Sequence, residues 1–212
     1  MSSYFRVWII LLAAVFVAIV FQGCSEKSPD TKPITPKVFG VLNSFPEHPY
    51  YVKKQTAVIR HKINTVESLT LKPQLTQTVI EYLKDKGYNA QEVSGKDAMT
   101  SGQVDMIIEI VPRQVFKIEG LVAYGFSDRN ILLGIVKQRP RSYIAMELVL
   151  SRKHTKRVSK TNREERFSQL GETTLMPDTW DELTQEQKER FEANLRDNMV
   201  KAVTIQLNQL KI

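Results

Sequence analysis

Residues 7–21 read VWIILLAAVFVAIVF, an unbroken apolar run without a single charge. Only Arg6 is charged ahead of it, and Gln22-Gly23 separate it from Cys24, the one cysteine of the chain. A charged start, an apolar stretch of about 7–15 residues and a small residue before a cut describe a secretory signal. As a helix the run is roughly 22 Å long at 1.5 Å per residue, whereas a bilayer crossing takes about 20 residues. An uncleaved anchor that recruits Tyr4 and Phe5 past Arg6 is the alternative. On either reading the first 23 residues supply no core, and the fold is built from the rest of the chain.

Phe21-Gln22-Gly23-Cys24 resembles the lipobox of bacterial lipoproteins. Gly stands at −1 and Cys at +1 as in that family, Gln at −2 is tolerated there, and Phe stands at −3 where Leu or Val is usual. The resemblance implies that the Cys24 thiol carries diacylglycerol and that the mature chain begins there with an acylated amino group. Ser25 at +2, rather than Asp, resembles the signal for sorting to the outer membrane of Gram-negative bacteria. One acyl chain holds a protein only marginally, whereas two or more, at about 0.8 kcal/mol per buried methylene, hold it stably. The competing reading of Cys24 is an idle thiol at the end of a membrane helix.

Residues 24–37 read CSEKSPDTKPITPK. Pro29, Pro33 and Pro36 favour extended backbone and withhold donors, and no apolar periodicity is present. This is a tether. At about 3.3 Å per residue it reaches some 40 Å from the lipid surface.

Residues 38–212 read as a single periplasmic domain, large enough to bury its own core. Val38–Phe45 fits a strand or packed arm, broken by Pro46-Glu-His-Pro-Tyr-Tyr51. Thr56–Ile63 reads as a strand rich in Val and Ile. Pro73–Lys86 is a helix, with Leu75, Val79, Ile80 and Leu83 at helical spacing and Gly87 where a C-cap belongs. Tyr88–Val93 reads as a strand, residues 94–102 as turn, and VDMIIEIV at Val104–Val111 as the strongest strand, ended by Pro112. Residues 121–141 fit a mobile loop or a hairpin. Tyr143–Leu150 is again a strand, and Val158–Phe167 is its antiparallel partner. Thr179-Trp-Asp-Glu182 and Thr184-Gln-Glu-Gln187 fit capping boxes. Phe191, Leu195, Met199, Ala202 and Leu207 line one face of a long final helix. The expected fold is α+β: a largely antiparallel sheet with the early helix and the long C-terminal helix on one face.

This order resembles a group of envelope proteins: the curli-secretion lipoprotein family, the amino-terminal domain of the Tol–Pal periplasmic protein TolB, and auxiliary lipoproteins of lipid transporters. The shared features are the lipobox, an early strand, the helix ending Leu83-Lys-Asp-Lys-Gly-Tyr88, a strand opening Val104-Asp-Met-Ile-Ile-Glu109, and a strand pair at Tyr143–Phe167. That group commonly turns the strand pair on an Asp-x-x-Thr-Gly-Lys loop, whereas Ser151–Arg157 has neither Asp nor Gly. The resemblance implies an assembly or transport accessory rather than an enzyme.

The residues themselves offer little catalytic chemistry. No Gly-x-Ser-x-Gly elbow or Gly-x-x-x-x-Gly-Lys loop occurs. His48, His61 and His154 stand singly, so no metal and no cofactor is expected. Asp105 and Glu109 share a strand face, which fits the polar side of an amphipathic strand better than an acid–base pair. The net charge of +7 would suit nucleic acid, but export places anionic lipid, glycan and peptidoglycan within reach instead. Arg152, Lys153, Lys156, Arg157, Lys160 and Arg163 form the notable basic cluster. They are either a solvated turn that resists unwanted edge pairing or a contact for an anionic lipid or glycan surface. Phe126, Ile131, Leu132, Leu133, Ile135 and Val136 are either core or, if exposed, a partner contact. Trp180 is expected as a hydrophobic clamp before the last helix.

The sequence thus leads to a non-catalytic outer-membrane lipoprotein with its domain in the periplasm. It would contact an envelope protein partner as a structural or accessory subunit of an assembly or transport system. A periplasmic lipid- or glycan-binding lipoprotein is the alternative, and an envelope hydrolase a distant third.

Overall fold

A computed structural model describes residues 38–55, 60–115, 121–129, 139–153, 155, 158–170, 176–210 and 212. The signal, Cys24 and the tether lie outside them, as do residues 131–136, His154, Lys156 and Arg157. The chain order is β1 (Val38–Asn43), β2 (Tyr50–Gln55), β3 (Arg60–Thr65), α1 (Lys72–Asp85), β4 (Asn89–Glu92), α2 (Asp97–Thr100) and β5 (Met106–Pro112). Then come β6 (Tyr124–Arg129), β7 (Arg139–Arg152), β8 (Ser159–Lys160), β9 (Glu164–Gln169), a 3₁₀ turn (Trp180–Glu182) and α3 (Gln185–Leu210). The described residues belong to one unit, Pro36–Ile212.

The class is α+β, with a long C-terminal helix as expected. The sheet corrects the expectation of a largely antiparallel arrangement: it is mixed and curled. β1 runs parallel to both β4 and β5, and β2 runs parallel to β6. Pairs β2–β3, β5–β7, β6–β7, β7–β8 and β7–β9 are antiparallel. Parallel neighbours need a crossover. Helix α1 lies on the path from β1 to β4, and α2 on the path from β4 to β5, so both parallel pairs of β1 follow from the helices between them.

β7 is the spine of the sheet. Arg113 N–H donates to Ala145 O at 2.9 Å, and Ala145 N–H donates to Ala123 O at 2.6 Å. The N–H and C=O of one strand residue point to one edge, so β5 and β6 lie end to end along the same edge of β7. Leu148 faces the opposite edge, where its carbonyl accepts from Thr161 N–H at 3.0 Å. β8 and β9 therefore occupy that second edge. Between the two halves Gln114 and Val122 form a bridge, and Val115 N–H donates to Leu121 O at 2.9 Å; the excursion they open runs outside the described residues. Pro112 ends β5 as predicted. Its missing N–H would face the β1 side, and β1 has already stopped at Asn43, with Ser44 N–H bonded to Ile110 O at 3.0 Å. No ladder bond is lost there.

Strand alternation sorts the residues. Phe39, Val41, Ile108, Ile110, Tyr124, Phe126, Ile144, Met146 and Leu148 face the helices and are fully or almost fully buried. Against them α1 places Leu75, Val79, Ile80 and Leu83, and α3 places Phe191, Leu195, Met199, Ala202, Val203 and Leu207. Each of these side chains larger than alanine contributes about 1.5–3 kcal/mol by leaving water. α1 ends as its sequence dictates. Gly87 takes φ +84°, Tyr88 N–H reaches Leu83 O at 3.0 Å, and Gly87 N–H reaches Lys84 O at 2.9 Å. This left-handed cap suits glycine because no Cβ opposes it.

α3 also carries two buried amides into this interface. Asn198 Nδ2 donates to Ser142 Oγ at 2.7 Å, and Ser168 Oγ donates to Asn198 Oδ1 at 2.7 Å. Gln206 Oε1 accepts from Leu148 N–H at 3.1 Å and from the Thr161 hydroxyl, while its Nε2 donates to Asn162 O at 2.7 Å. Buried amides satisfied in this way fix one docking register for α3, because sliding the helix would strand them.

β6 passes very close to β2. Gly125, at φ +155°, lies opposite Tyr50, and a Cβ there would sit 2.0 Å from Tyr50 O. Only glycine lets these strands meet.

Candidate functional site

The described members of the basic cluster fall into two groups. Arg152 closes β7, and its Nη1 donates to Ser159 Oγ at 3.4 Å. Lys153 is exposed in the turn after β7, its backbone N–H bonded to Asp105 O at 3.1 Å. Lys160 pairs with Val149 on the same end of the sheet and is exposed. Arg163 belongs elsewhere. Its Nη1 donates to Gln114 O at 2.9 Å, at the mouth of the 114–122 excursion, and it pairs with Glu165 at 3.5 Å. The basic cluster read from sequence thus keeps Arg152, Lys153 and Lys160 at one end of the sheet, with Arg163 tied down beside Gln114. Lys156 and Arg157 lie outside the described residues.

Phe126 takes the core alternative rather than the surface one. It is fully buried, stacks on Trp180 with ring centroids 5.0 Å apart, and meets Phe191 at 5.5 Å. That removes it from any contact surface. Ile131, Leu132 and Leu133 lie outside the described residues. Asp105 and Glu109 are each engaged separately. Asp105 Oδ2 accepts from Val38 N–H at 3.1 Å, and Glu109 pairs with Lys96 at 2.7 Å and accepts from Ser44 Oγ at 3.1 Å.

A recess with a polar lining that the sequence did not reveal is a cleft of about 350 Å³. It is lined by Asn64, Thr65, Val66, Glu67, Ser68, Thr179, Trp180 and Asp181. One wall is the end of β3 and the turn after it. His48 holds this turn: its Nδ1 lies 3.2 Å from Leu69 O, and its Nε2 pairs with Glu67 at 3.2 Å. The other wall is the 3₁₀ turn; the capping box predicted there does not close, since the Thr179 side chain caps no backbone N–H, whereas the one predicted at Thr184 forms at the start of α3. Thr179 Oγ1 donates to Glu182 at 2.9 Å, and Asp178 N–H donates to Glu182 Oε2 at 3.2 Å. Thr184 N–H donates to Gln187 Oε1 at 2.9 Å while Gln187 N–H donates to Thr184 Oγ1 at 3.2 Å, the reciprocal form.

Trp180 works as the expected clamp. Besides Phe126, it meets Tyr51 edge-on at 6.2 Å and Phe191 at 6.2 Å. Tyr51 Oη donates to Pro177 O at 2.8 Å, and the Lys53 ammonium bonds Met176 O and lies 3.7 Å from Asp178. Burial holds the Tyr51 phenol well above its ordinary range, and the nearby carboxylates of Asp128, Glu182 and Asp178 push it the same way. It stays a neutral donor. The cleft therefore offers hydroxyls, an amide and two carboxylates around one indole edge. Such a set binds by hydrogen bonding, and within it the Thr65 hydroxyl donates to the Glu67 carboxylate.

No family model and no curated protein matches this sequence. Solved structures do. Protein XCC0632 from Xanthomonas campestris, described under the family DUF330, is similar over 82% of this chain and 84% of its own, at 11% identity and a TM-score of 0.50. An uncharacterized protein is similar over 81% of this chain and 88% of its own, at 12% identity and a TM-score of 0.36. The hypothetical protein CT253 from Chlamydia trachomatis is similar over 78% of this chain and 95% of its own, at 6% identity and a TM-score of 0.31. The likeness to the Xanthomonas protein is one of fold alone. None of the three is named as a curli-secretion, TolB or transporter-auxiliary protein.

Proposed function

We propose that this chain is a non-catalytic lipoprotein of the bacterial outer membrane. Its domain faces the periplasm and serves as a structural or accessory subunit of an envelope assembly or transport system. The observation that carries this reading is the Phe21-Gln22-Gly23-Cys24 sequence directly after the apolar run, succeeded by a proline-spotted tether. Acyl chains on Cys24 hold the chain at the bilayer, and the tether gives the domain room to reach a partner. The polar recess offers hydrogen-bonding groups that such a subunit can use to hold a partner.

The cleft also favours a second reading, glycan binding. Its volume sits at the low end of small-molecule sites, and Asn64, Thr65, Ser68 and Thr179 beside Trp180 suit a sugar better than an acyl chain.

The test is metabolic labelling with a radioactive fatty acid in cells producing the wild type or Cys24→Ala. Wild type takes the label and Cys24→Ala does not. Equal labelling of the two defeats the proposal.

A further inference from the structure

β3 ends the sheet on one side. Its neighbour is β2, and among the described residues no strand pairs with its other edge. The polarity of that edge follows from one bond. Val66 N–H donates to Pro49 O at 2.9 Å, so the even-numbered residues of β3 face β2. The backbone N–H and C=O groups of His61, Ile63 and Thr65 point away from the sheet. The Ile63 side chain is 47% exposed. An open edge of this kind is a template for another strand.

Two further observations say what fits there. The first is charge. From Tyr50 to Thr65 the chain carries Lys53, Lys54, Arg60, His61 and Lys62 and no Asp or Glu. The register sets Lys53 opposite Lys62, Lys54 opposite His61 and Gln55 opposite Arg60. Like charges placed directly opposite weaken a strand pair. Lys53 turns to Met176 O and Asp178, while Lys62 is left exposed on the terminal strand. The second is position. The cleft beside Trp180 begins at Asn64 and Thr65, where the open edge ends. A strand laid along β3 would run from the cationic end straight into that recess.

We infer that β3 is a docking edge for an extended, acidic segment of a different envelope protein. That segment adds as a strand beside Ile63 and Thr65, sets a carboxylate against the exposed Lys62 and places one side chain in the cleft. This deepens the accessory-subunit reading and rests on it for the partner, though not on the lipid anchor. Main-chain bonds supply the affinity and the cleft supplies selectivity, as in other strand-addition complexes. The chain's own tether is a poor occupant. Residues 25–37 hold three prolines and carry Lys27, Lys32 and Lys37 against Glu26 and Asp30. A second copy would bring a second set of cations to the same edge.

The test places a photo-crosslinking amino acid at Thr65, or at the exposed Val200 of α3 as control, in the full-length chain in intact cells. Crosslinked peptides are then read by mass spectrometry. Position 65 should capture an acidic, extended segment of one other protein, and position 200 should not. Ile63→Pro removes an N–H from the open edge only, so it should abolish the adduct while circular dichroism and fatty-acid labelling stay unchanged. Lys62→Glu, which keeps every backbone bond, should cut adduct yield about tenfold through charge repulsion. Capture of a second copy, capture of residues 25–37, or adducts indifferent to both substitutions would each overturn the inference. So would the absence of any adduct. A chain that takes the fatty-acid label yet gives no adduct loses the docking edge and keeps the anchor; the reverse result separates them the other way.

Discussion

Gly125→Ala should open the sheet between β2 and β6. The added Cβ would stand 2.0 Å from Tyr50 O, 2.7 Å from Tyr50 N and 2.8 Å from Tyr50 C. All three are backbone atoms, so no rotamer change relieves the clash. A comfortable carbon contact lies near ~3.5 Å, which requires the strands to part by roughly 1.5 Å, and bonds stretched that far are broken. The β2–β6 register spans Tyr50↔Gly125, Tyr51↔Phe126 and Val52↔Ser127. Losing about three ladder bonds at ~1 kcal/mol each, with about 1 kcal/mol for forcing alanine to a positive φ, totals roughly 4 kcal/mol. In urea, with a slope of about 2 kcal/mol per molar, the unfolding midpoint should fall by ~2 M. Gly87→Ala is the control. It also has positive φ, but a Cβ there has nothing within 4 Å, so only the ~1 kcal/mol conformational cost remains. Far-UV circular dichroism against urea reads both. If Gly125→Ala and Gly87→Ala shift the midpoint equally, the close approach of β2 to β6 is not what requires glycine.

Two further predictions concern the interior. Asn198→Ala leaves the Ser142 and Ser168 hydroxyls short of a partner under α3. It should cost about 2 kcal/mol and lower the melting temperature by roughly 6 °C, read by thermal circular dichroism. The phenols of Tyr51, Tyr124 and Tyr143 are all held above their ordinary range, chiefly by burial. A raised folded-state pKa means that their contribution is complete below the unfolded value near ~10 and is lost as pH rises beyond it. Ultraviolet absorbance of tyrosinate should therefore show these three ionising together with an alkaline unfolding transition; early, independent ionisation in the folded protein would refute the burial argument.

Local signals carried far. α1, the core of β5, the middle of β7 and α3 stand where periodicity placed them, and the Thr184–Gln187 capping box forms while the Thr179–Glu182 one does not. What was not legible is the direction of pairing. β1 joins β5 in parallel only because two helices intervene, and α2 hides in a polar stretch with Ala98 as its single buried residue. β2 was obscured by Pro46 and Pro49 before it and by Lys53-Lys54 within it. β6 was obscured by Gly125, Ser127 and Asp128, residues that read as loop yet lie within a buried strand. A glycine inside an otherwise apolar segment signals close backbone approach, and Gly125 was the available clue. The cleft was invisible because its walls, Asn64–Ser68 and Thr179–Asp181, are far apart in the chain and meet only through the curl of the sheet.

Arg113 and Ala123 both bond Ala145, each through a different backbone group of that one β7 residue. The register before the excursion and the register after it are therefore independent of how many residues lie between. Insertions between Val115 and Leu121 should therefore leave the β5–β7 and β6–β7 ladders in register. A tag or reporter domain spliced in at that point would lengthen the excursion without shifting a single strand.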